Sequence, residues 1–204
     1  MPPGFVLHPG LLDRAAQEAL VATLRPLVAR APLFAPVMPG TGKAFSVRMT
    51  NLGSLGWVSD RGGYRYQAAH PDTGAPWPAI PADLITLWDQ LTGYHAPPEA
   101  CLVNLYRDGA RMGLHVDADE DDRAAPVVSI SLGDEALFRI GGPRRGDPSR
   151  SVWLRSGDVV VLGGAARACF HGIDRVREGS STLLEGGGRL NLTLRRVTLS
   201  DRTV

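Results

Sequence analysis

The sequence predicts an α+β fold that is mainly β, with an antiparallel sandwich or jelly roll as its core. Helical spacing of apolar residues occurs before residue 99, and after it short segments rich in β-branched residues follow one another between Gly, Pro and Asp turns. Closely spaced strands without helices between them are typical of antiparallel sheets rather than of a parallel α/β sheet. The chain has 204 residues, is 44% hydrophobic and lacks a Pro/Gly/Ser-rich linker, which predicts a single domain over residues 1–204.

Two helices are expected in the N-terminal half of the chain. Asp13 can cap the first helix, and Pro26 is expected to kink or end it. The second helix begins near Pro81, which is a favoured first-turn residue, and stops at Gly93. The apolar residues that these helices would bury are Leu20, Val21, Leu24, Leu27 and Val28 in the first helix and Leu84, Leu87, Trp88 and Leu91 in the second.

The strand pattern recurs in seven short segments. They are "FSVRMTN" (45–51), "ACLVNLYR" (100–107), "APVVSISLG" (125–133), "ALFRIG" (136–141), "SVWLR" (151–155), "GDVVVLGG" (157–164) and "RLNLTLRRVTL" (189–199). Each is rich in β-branched or aromatic residues and is bounded by turn residues, so we expect at least seven strands.

An irregular stretch, "LGSLGWVSDRGGYRYQAAHPDTGAPWPA" over residues 52–79, separates the first of these strands from the second helix. Loops longer than about 12–15 residues in a compact domain are usually functional or disordered. Trp57, Tyr64, Tyr66 and Trp77 argue against disorder. The stretch is therefore expected to be a functional loop.

The composition indicates the cellular compartment of the protein rather than its activity. A net charge of +1 neither favours nor excludes a nucleic-acid partner, because such binding depends on local patches. The two cysteines, Cys101 and Cys169, do not make a disulfide framework and indicate a reducing compartment. The first residues lack the pattern of a secretory signal, and no apolar run approaches the roughly 18 residues of a membrane helix. We expect a cytoplasmic protein with no membrane partner.

The segment "GLHVDADEDD" (113–122) gathers acidic residues beside a histidine. In an extended chain, residues two apart point to the same side, so His115 and Asp117 can grip one ion together. His171, in "ACFHGI", can supply a third ligand from another part of the fold. Two histidines and one carboxylate form the facial triad of non-haem Fe(II) oxygenases, but a zinc hydrolase could use the same ligand types.

The segment "RLNLTLR" (189–195) alternates strictly, which places Arg189, Asn191, Thr193 and Arg195 on one face of a strand. "CLVNLYR" offers a second polar face with Asn104 and Tyr106. An ordinary strand with one wet face would show the same pattern. If both faces point into the mouth of a jelly roll, the arginines suit a dicarboxylate whose inner end chelates iron, namely 2-oxoglutarate.

Together these motifs resemble the AlkB family of Fe(II)/2-oxoglutarate-dependent dioxygenases. "NLY" (104–106), "HVDADE" (115–120), "HG" (171–172) and "RLNLTLR" follow in the order and spacing of that family, and the resemblance spans roughly residues 45–196. It continues upstream in "MTNLGSLGW" (49–57) and "GYRY" (63–66). The resemblance implies a double-stranded β-helix (jelly roll) core at 100–197, N-terminal helices, and a nucleotide-recognition lid at 45–79.

The resemblance also implies a role for individual side chains. The implied iron ligands are His115, Asp117 and His171. The residues implied to hold 2-oxoglutarate are Asn104, Tyr106, Asn191, Arg189 at the distal carboxylate and Arg195 at the end nearer the metal. The implied substrate contacts are Trp57 stacked on the target base, Tyr64 and Tyr66 near its backbone, Asp119 beside the cationic base, and Arg145. The remaining acidic residues, Glu120, Asp121 and Asp122, are expected at the solvated surface.

The activity implied is oxidative demethylation of 1-methyladenine and 3-methylcytosine in DNA, with RNA left open as a further substrate. It would use Fe(II), 2-oxoglutarate and O₂, release succinate, CO₂ and formaldehyde, and reverse alkylation damage directly in a monomer bound to alkylated nucleic acid. Phosphate contacts could come from the basic run over residues 139–155. Two alternatives remain: a 2-oxoglutarate dioxygenase that acts on RNA, a protein or a small molecule, and a metal-binding jelly roll without catalysis.

Overall fold

The computed structural model describes residues 1–200, which form twelve β-strands, two α-helices and one short 3-10 helix. The strands are β1 Phe5–His8, β2 Arg48–Gly53, β3 Gly56–Asp60, β4 Gly63–Gln67, β5 Ala100–Tyr106, β6 Met112–His115, β7 Val127–Gly133, β8 Glu135–Ile140, β9 Arg150–Leu154, β10 Val159–Leu162, β11 His171–Arg177 and β12 Arg189–Arg195. The helices are α1 Arg14–Arg30 and α2 Ala82–Thr92, and the 3-10 helix is Gly164–Ala168.

The strands pair into antiparallel sheets. A large sheet has the order β1-β10-β7-β12-β5-β2, a small sheet has the order β6-β11-β8-β9, and β3 pairs with β4 as a hairpin. Successive side chains of a strand point to opposite faces, so a sheet covered on both sides buries both sets. One face of the large sheet packs on α1 and α2, and its other face packs on the small sheet. This arrangement confirms the predicted mainly-β jelly-roll core with N-terminal helices.

Both predicted helices are present. The carboxylate of Asp13 caps α1 by accepting a hydrogen bond from the amide of Ala16 at 2.8 Å. The helix continues past Pro26 to Arg30, because Leu24 before the proline and Leu27 after it both pack on the large sheet. Helix α2 ends as expected at Gly93, which has a φ of 56°. Within residues 1–200, no helix is long and apolar enough to cross a membrane.

Residues 52–79 are not the irregular stretch expected from the sequence, because they contain the β3–β4 hairpin. The tight turn "DRGG" closes it: the carboxylate of Asp60 accepts a hydrogen bond from the amide of Gly62 at 2.7 Å, and Gly63 adopts a φ of 114°. Trp57 pairs with Tyr66 across the two strands. Each strand has only five residues, too few for alternation to stand out among the surrounding glycines.

The hairpin is fixed to the large sheet through Asn51 on β2. The side-chain amide of Asn51 donates to the carbonyl of Trp57 at 3.0 Å and accepts from the amide of Trp57 at 3.0 Å. This pair of bonds reproduces on a side chain the pairing that a neighbouring strand would give. It sets the position of the Trp57 ring relative to the open end of the jelly roll.

Candidate active site

His115, Asp117 and His171 come together at the edge where β6 pairs with β11. His115 ends β6, His171 begins β11, and the two histidines are opposite each other in the strand register. The Nε2 atom of His115 lies 3.8 Å from Asp117 Oδ1, and the Nε2 atom of His171 lies 3.7 Å from Asp117 Oδ2. One ligand atom from each residue lies within 4.8 Å of the others. Three donor atoms at this spacing can share one ion.

Each histidine is oriented by a backbone carbonyl. Nδ1 of His115 donates to the carbonyl of Gly113 at 2.9 Å, and Nδ1 of His171 donates to the carbonyl of Cys169 at 3.1 Å. Both Nε2 atoms are then left with a free lone pair toward the cluster. Asp117 Oδ2 is buried and has no hydrogen-bond partner among residues 1–200. The orphaned carboxylate oxygen and the two lone pairs fit a divalent cation.

The electrostatic surroundings keep His171 and Asp117 deprotonated. Burial lowers the pKa of His171 to about 4, so its imidazole is neutral at physiological pH. Burial alone would raise the pKa of Asp117, but the charge of Arg195, helped by the neighbouring histidines, holds that pKa well below its usual range. A cation that binds here therefore does not have to displace protons from His171 or Asp117.

A narrow cavity of about 70 Å³ continues from the three residues into the jelly roll. The five residues expected to hold 2-oxoglutarate all line it, together with the three expected metal ligands: Asn104, Tyr106, Arg189, Asn191, Arg195, His115, Asp117 and His171. Most of these polar side chains come from β12 and its neighbour β5, whose register places Arg189 opposite Tyr106 and Asn191 opposite Asn104. The alternation of two paired strands therefore brings distant polar residues onto one wall.

Arg189 lies at one end of this cavity and is only 1% exposed. Its Nη2 atom donates to the hydroxyl of Ser131 at 3.1 Å, while Nε and Nη1 have no hydrogen-bond partner in the described part of the chain. Its guanidinium carbon lies 5.1 Å from the centre of the Tyr106 ring. A buried guanidinium with two idle donors and no carboxylate partner is costly unless an anion binds to it. The site is therefore suited to a carboxylate ligand.

A wider cleft of about 630 Å³ is also lined by His115 and Asp117. The indole of Trp57 stacks on the ring of Tyr64, with centroids 5.6 Å apart, and its N–H donates to Asp119 Oδ2 at 2.7 Å. The guanidinium of Arg145 lies over the ring of Phe170 at 5.0 Å. Met38, Phe45 and Met49 supply apolar wall. A flat aromatic surface beside a carboxylate suits a planar, cationic ring.

The chain matches a family model described as "2OG-Fe(II) oxygenase superfamily" over residues 4–195. It is 59% identical over 194 residues to the alpha-ketoglutarate-dependent dioxygenase AlkB homolog of Caulobacter vibrioides, with 95% of this chain and 88% of the relative covered. It is 42% identical over 185 residues to AlkB of Escherichia coli, with 89% and 85% covered. The chain belongs to the AlkB family of Fe(II)/2-oxoglutarate-dependent dioxygenases. This membership confirms the resemblance inferred from the motifs and sets aside the non-catalytic jelly roll.

Solved structures agree with the AlkB assignment. The structure of OsALKBH1 superposes with a TM-score of 0.76 at 31% identity, covering 96% of this chain and 99% of that chain. A Pseudomonas putida prolyl-4-hydroxylase superposes with a TM-score of 0.54 at 20% identity, covering 95% and 92%, and so shows the shared fold. More distant relatives include an Arabidopsis thaliana protein named DNA N(6)-methyladenine demethylase ALKBH1A, 48% identical over 82 residues, with 40% of this chain and 24% of that protein covered.

The structure places four of the five expected substrate contacts of this AlkB-family chain on the wide cleft: Trp57, Tyr64, Asp119 and Arg145. Tyr66 is not on that wall in the described part of the chain. Its hydroxyl instead donates to Glu120 Oε1, inside the protein. Arg48 of β2 does not line the cleft either; its guanidinium donates to the carbonyl of Leu33 at 2.6 Å.

The expectation that Glu120 and Asp122 lie at the solvated surface is wrong. Both are buried, and only Asp121 of the three is exposed. Glu120 accepts from Tyr66 and from Arg167, and Asp122 accepts from the hydroxyl of Tyr94 at 2.9 Å. Buried carboxylates need such donors, and these come from sequence positions that an acidic run does not reveal.

Three residues of the site were not singled out from the sequence. Ser131 accepts from Arg189, Ser129 accepts from Asn191 Nδ2 at 2.8 Å, and Arg167 pairs with Glu120. The serines carried a signal, because the spacing in "VVSISLG" places both on one face of a strand. Arg167 carried none, since it lies in a short helix between two strands.

Proposed function

We propose that the protein oxidatively removes N-linked methyl groups from nucleobases in DNA, with 1-methyladenine and 3-methylcytosine as substrates. The reaction uses Fe(II), 2-oxoglutarate and O₂ and releases succinate, CO₂ and formaldehyde. The observation that carries this proposal is that His115 and Asp117 line both cavities, the narrow one suited to an anion, which His171 also lines, and the wide one walled by Trp57 and Asp119. The names of the AlkB and demethylase relatives support it.

His115, Asp117 and His171 are the proposed Fe(II) ligands. When bound, Fe(II) supplies the redox chemistry that couples oxidative decarboxylation of 2-oxoglutarate by O₂ to hydroxylation of the substrate methyl group. The chain contributes two imidazoles oriented by backbone carbonyls and a carboxylate kept ionised by Arg195. Loss of formaldehyde from the hydroxylated methyl group then restores the base.

Arg189 is the proposed partner of the distal carboxylate of 2-oxoglutarate, because its two idle donors can form a fork with it. Tyr106 lies beside the same guanidinium. At the other end of the cavity, Arg195 is the proposed contact for the group nearer the metal. Asn104 and Asn191 complete the wall between the two arginines.

The wide cleft is the proposed site of the target base. A base can reach the metal only when it is flipped out of a duplex or already single-stranded, so it must be held by stacking. Trp57 and Tyr64 offer that stack, Asp119 favours the positive charge of a base alkylated at its ring nitrogen, and Arg145 can contact phosphate. Tyr66 is proposed to contribute to substrate binding indirectly, because it belongs to the same hairpin as Trp57 and Tyr64.

We further propose one catalytic domain over residues 1–204, with the lid at 45–79 and the jelly roll at 100–197, acting as a cytoplasmic monomer on alkylated nucleic acid. The cysteines support the compartment: Cys101 and Cys169 are both free and buried. Light scattering in solution, with and without a methylated oligonucleotide, tests the monomer.

The decisive experiment loads the protein anaerobically with Fe(II) and 2-oxoglutarate, adds an oligonucleotide carrying 3-methylcytosine or 1-methyladenine, and then admits air. We expect succinate and formaldehyde in equal amounts and an unmodified base, and none of them when Fe(II), 2-oxoglutarate or O₂ is omitted. Zinc in place of iron serves as a control. Turnover of 2-oxoglutarate without loss of the methyl group from DNA or RNA would move the substrate to a protein or a small molecule.

A further inference from the structure

A buried ion pair lies behind the metal site and belongs to none of the ligand sets proposed above. Arg167 Nη2 lies 2.8 Å from Glu120 Oε2, and the two side chains are 6% and 2% exposed. Replacing a buried ion pair by well-packed apolar side chains often leaves stability unchanged or raises it. Stability alone therefore does not account for this pair, and its contacts suggest another role.

Arg167 clamps the irregular segment 116–126, which carries Asp117, Asp119 and Glu120. From the 3-10 helix, its Nη1 atom donates to the carbonyl of Asp117 at 2.6 Å and its Nε atom donates to the carbonyl of Ala125 at 3.1 Å. With the bond to Glu120, one guanidinium thus holds both ends and the middle of the segment. A segment without helix or strand lacks a regular backbone ladder, so these bonds fix it together with those from the amides of Asp121 and Asp122 to the carbonyl of Val197.

The same clamp joins two of the three proposed metal ligands. The 3-10 helix Gly164–Ala168 ends shortly before His171, and the backbone carbonyl of Asp117 accepts a hydrogen bond from Arg167. Only a short piece of chain therefore separates Arg167 from one ligand, and a hydrogen bond links it to the backbone of the other.

Glu120 extends the contact to the hairpin and to β12. Its Oε1 atom accepts from the hydroxyl of Tyr66 and lies 3.4 Å from Arg195 Nε. Arg195 in turn donates to Asp117 Oδ1 at 2.9 Å. The carboxylate of Glu120 thus contacts the β3–β4 hairpin, β12 and Arg167.

We propose that Arg167 and Glu120 are positioning residues: Arg167 sets Asp117 against His171 for the metal, and Glu120 holds the β3–β4 hairpin over the cleft through Tyr66. The proposal rests on the function proposed above for the same site. It predicts two separate effects: loss of the Arg167 guanidinium should weaken metal binding, and loss of the Tyr66 hydroxyl should loosen the hairpin.

The first test is Arg167→Met, which keeps an apolar stem but removes all three hydrogen bonds. We expect Mn²⁺ affinity, measured by calorimetric titration of metal-free protein, to fall about 10- to 100-fold, as for other groups that orient metal ligands. Arg25→Met is the matched control, since Arg25 is exposed on α1 and far along the chain from the site. It should bind Mn²⁺ like the wild type.

The second test is Tyr66→Phe, which removes only the hydroxyl that meets Glu120. We expect faster amide hydrogen exchange in residues 56–67 and about tenfold weaker binding of a 3-methylcytosine oligonucleotide, with Mn²⁺ and 2-oxoglutarate affinities within about twofold. Tyr94→Phe is the matched control: it removes a phenol that donates to Asp122 in the same acidic run, away from the hairpin. It should leave exchange in the hairpin unchanged.

The pattern across both variants decides the proposal. Unchanged Mn²⁺ affinity in Arg167→Met, or an equal loss of metal and oligonucleotide binding in both variants together with lower melting temperatures, would overturn it. A wild-type protein that binds neither Mn²⁺ nor 2-oxoglutarate would instead overturn the proposed function. In that case hydrogen exchange in the Tyr66→Phe hairpin still tests the role of Glu120.

Discussion

The two arginines of β12 face the same cavity, yet their surroundings differ. Arg195 pairs with Asp117 at 2.9 Å and lies 3.4 Å from Glu120, and of its fully buried nitrogen atoms only Nε lacks a hydrogen-bond partner among residues 1–200. Arg189 has no carboxylate partner there: it contacts the hydroxyl of Ser131 and the ring of Tyr106, and its Nε and Nη1 atoms have no hydrogen-bond partner. Asp117 in turn raises the pKa of Arg195, although burial alone would lower it, and burial lowers the pKa of Arg189. Arg195 is therefore neutralised by carboxylates of the protein, whereas Arg189 gains a carboxylate partner only when a ligand binds. Arg195 thus has a structural role besides its proposed contact with 2-oxoglutarate, whereas Arg189 is left for ligand binding alone.

The largest effect that this comparison predicts is on stability at the Arg195 end. Arg195→Met leaves the buried carboxylate of Asp117 without its ion-pair partner, although Glu120 keeps Arg167, so we expect the free energy of unfolding of the metal-free protein to fall by about 3–5 kcal/mol. Urea unfolding measures it, with Arg25→Met expected within about 0.5 kcal/mol of wild type. A loss below about 1 kcal/mol, as at a solvent-exposed pair, would show that Arg195 does not stabilise the fold through Asp117.

Replacing Arg189 should change the affinity for 2-oxoglutarate rather than the stability of the fold. Arg189→Met removes a buried charge that has no carboxylate partner, so the free energy of unfolding should stay within about 1 kcal/mol of wild type or rise. Binding of 2-oxoglutarate should weaken by about 2–5 kcal/mol in calorimetric titration of the Fe(II) protein under anaerobic conditions. The reverse result, a damaged fold with intact 2-oxoglutarate affinity, would contradict the comparison.

A variant of Trp57, which is not on β12, should affect substrate binding without affecting either arginine. Its indole contacts Asp119 and lies on the hairpin, so Trp57→Ala should weaken binding of a methylated oligonucleotide by about 1–3 kcal/mol. The affinity for 2-oxoglutarate should not change, because the indole does not line the narrow cavity that holds Arg189. Fluorescence anisotropy of a labelled oligonucleotide measures the first quantity. Equal oligonucleotide affinity in the two proteins would rule out a stacking role for Trp57.

The smallest effect concerns the single hydroxyl that touches Arg189. Ser131→Ala removes the acceptor that aims the guanidinium, and we expect 2-oxoglutarate binding to weaken by about 0.5–1.5 kcal/mol. Calorimetric titration of 2-oxoglutarate measures this change, with metal affinity as the internal reference. Stronger binding in Ser131→Ala would mean that the hydroxyl competes with the ligand for the guanidinium.

The faces of the strands were predictable because alternation is a local property. "RLNLTLR" identified Arg189 and Arg195 as neighbours on one wall, and "HVD" identified two of the three clustered residues. The third, His171, meets His115 only because two short strands pair, and four residues of β6 give too little pattern to predict that pairing. The resemblance to the AlkB family supplied what periodicity could not.

Burial of charge was the part that sequence reasoning could not reach. Glu120 lies in a run of acidic residues that is typical of a solvated loop, and nothing nearby in the sequence neutralises it. Its partners, Tyr66 and Arg167, lie 54 and 47 positions away along the chain. A side chain that depends on contacts at such separations is placed by tertiary structure rather than by its neighbours in sequence.

The burial of both thiols has a consequence for a protein that releases an electrophile inside its own cavity. Formaldehyde reacts with amines and with thiolates, and the thiolate rather than the thiol is the reactive form of cysteine. Burial raises the pKa of Cys101 to about 12 and also raises the pKa of Cys169, so both remain protonated at neutral pH. Lys43 is the only lysine of the chain. The side chains thus offer little nucleophile for self-inactivation by the product, and the aldehyde can leave without alkylating the enzyme that made it.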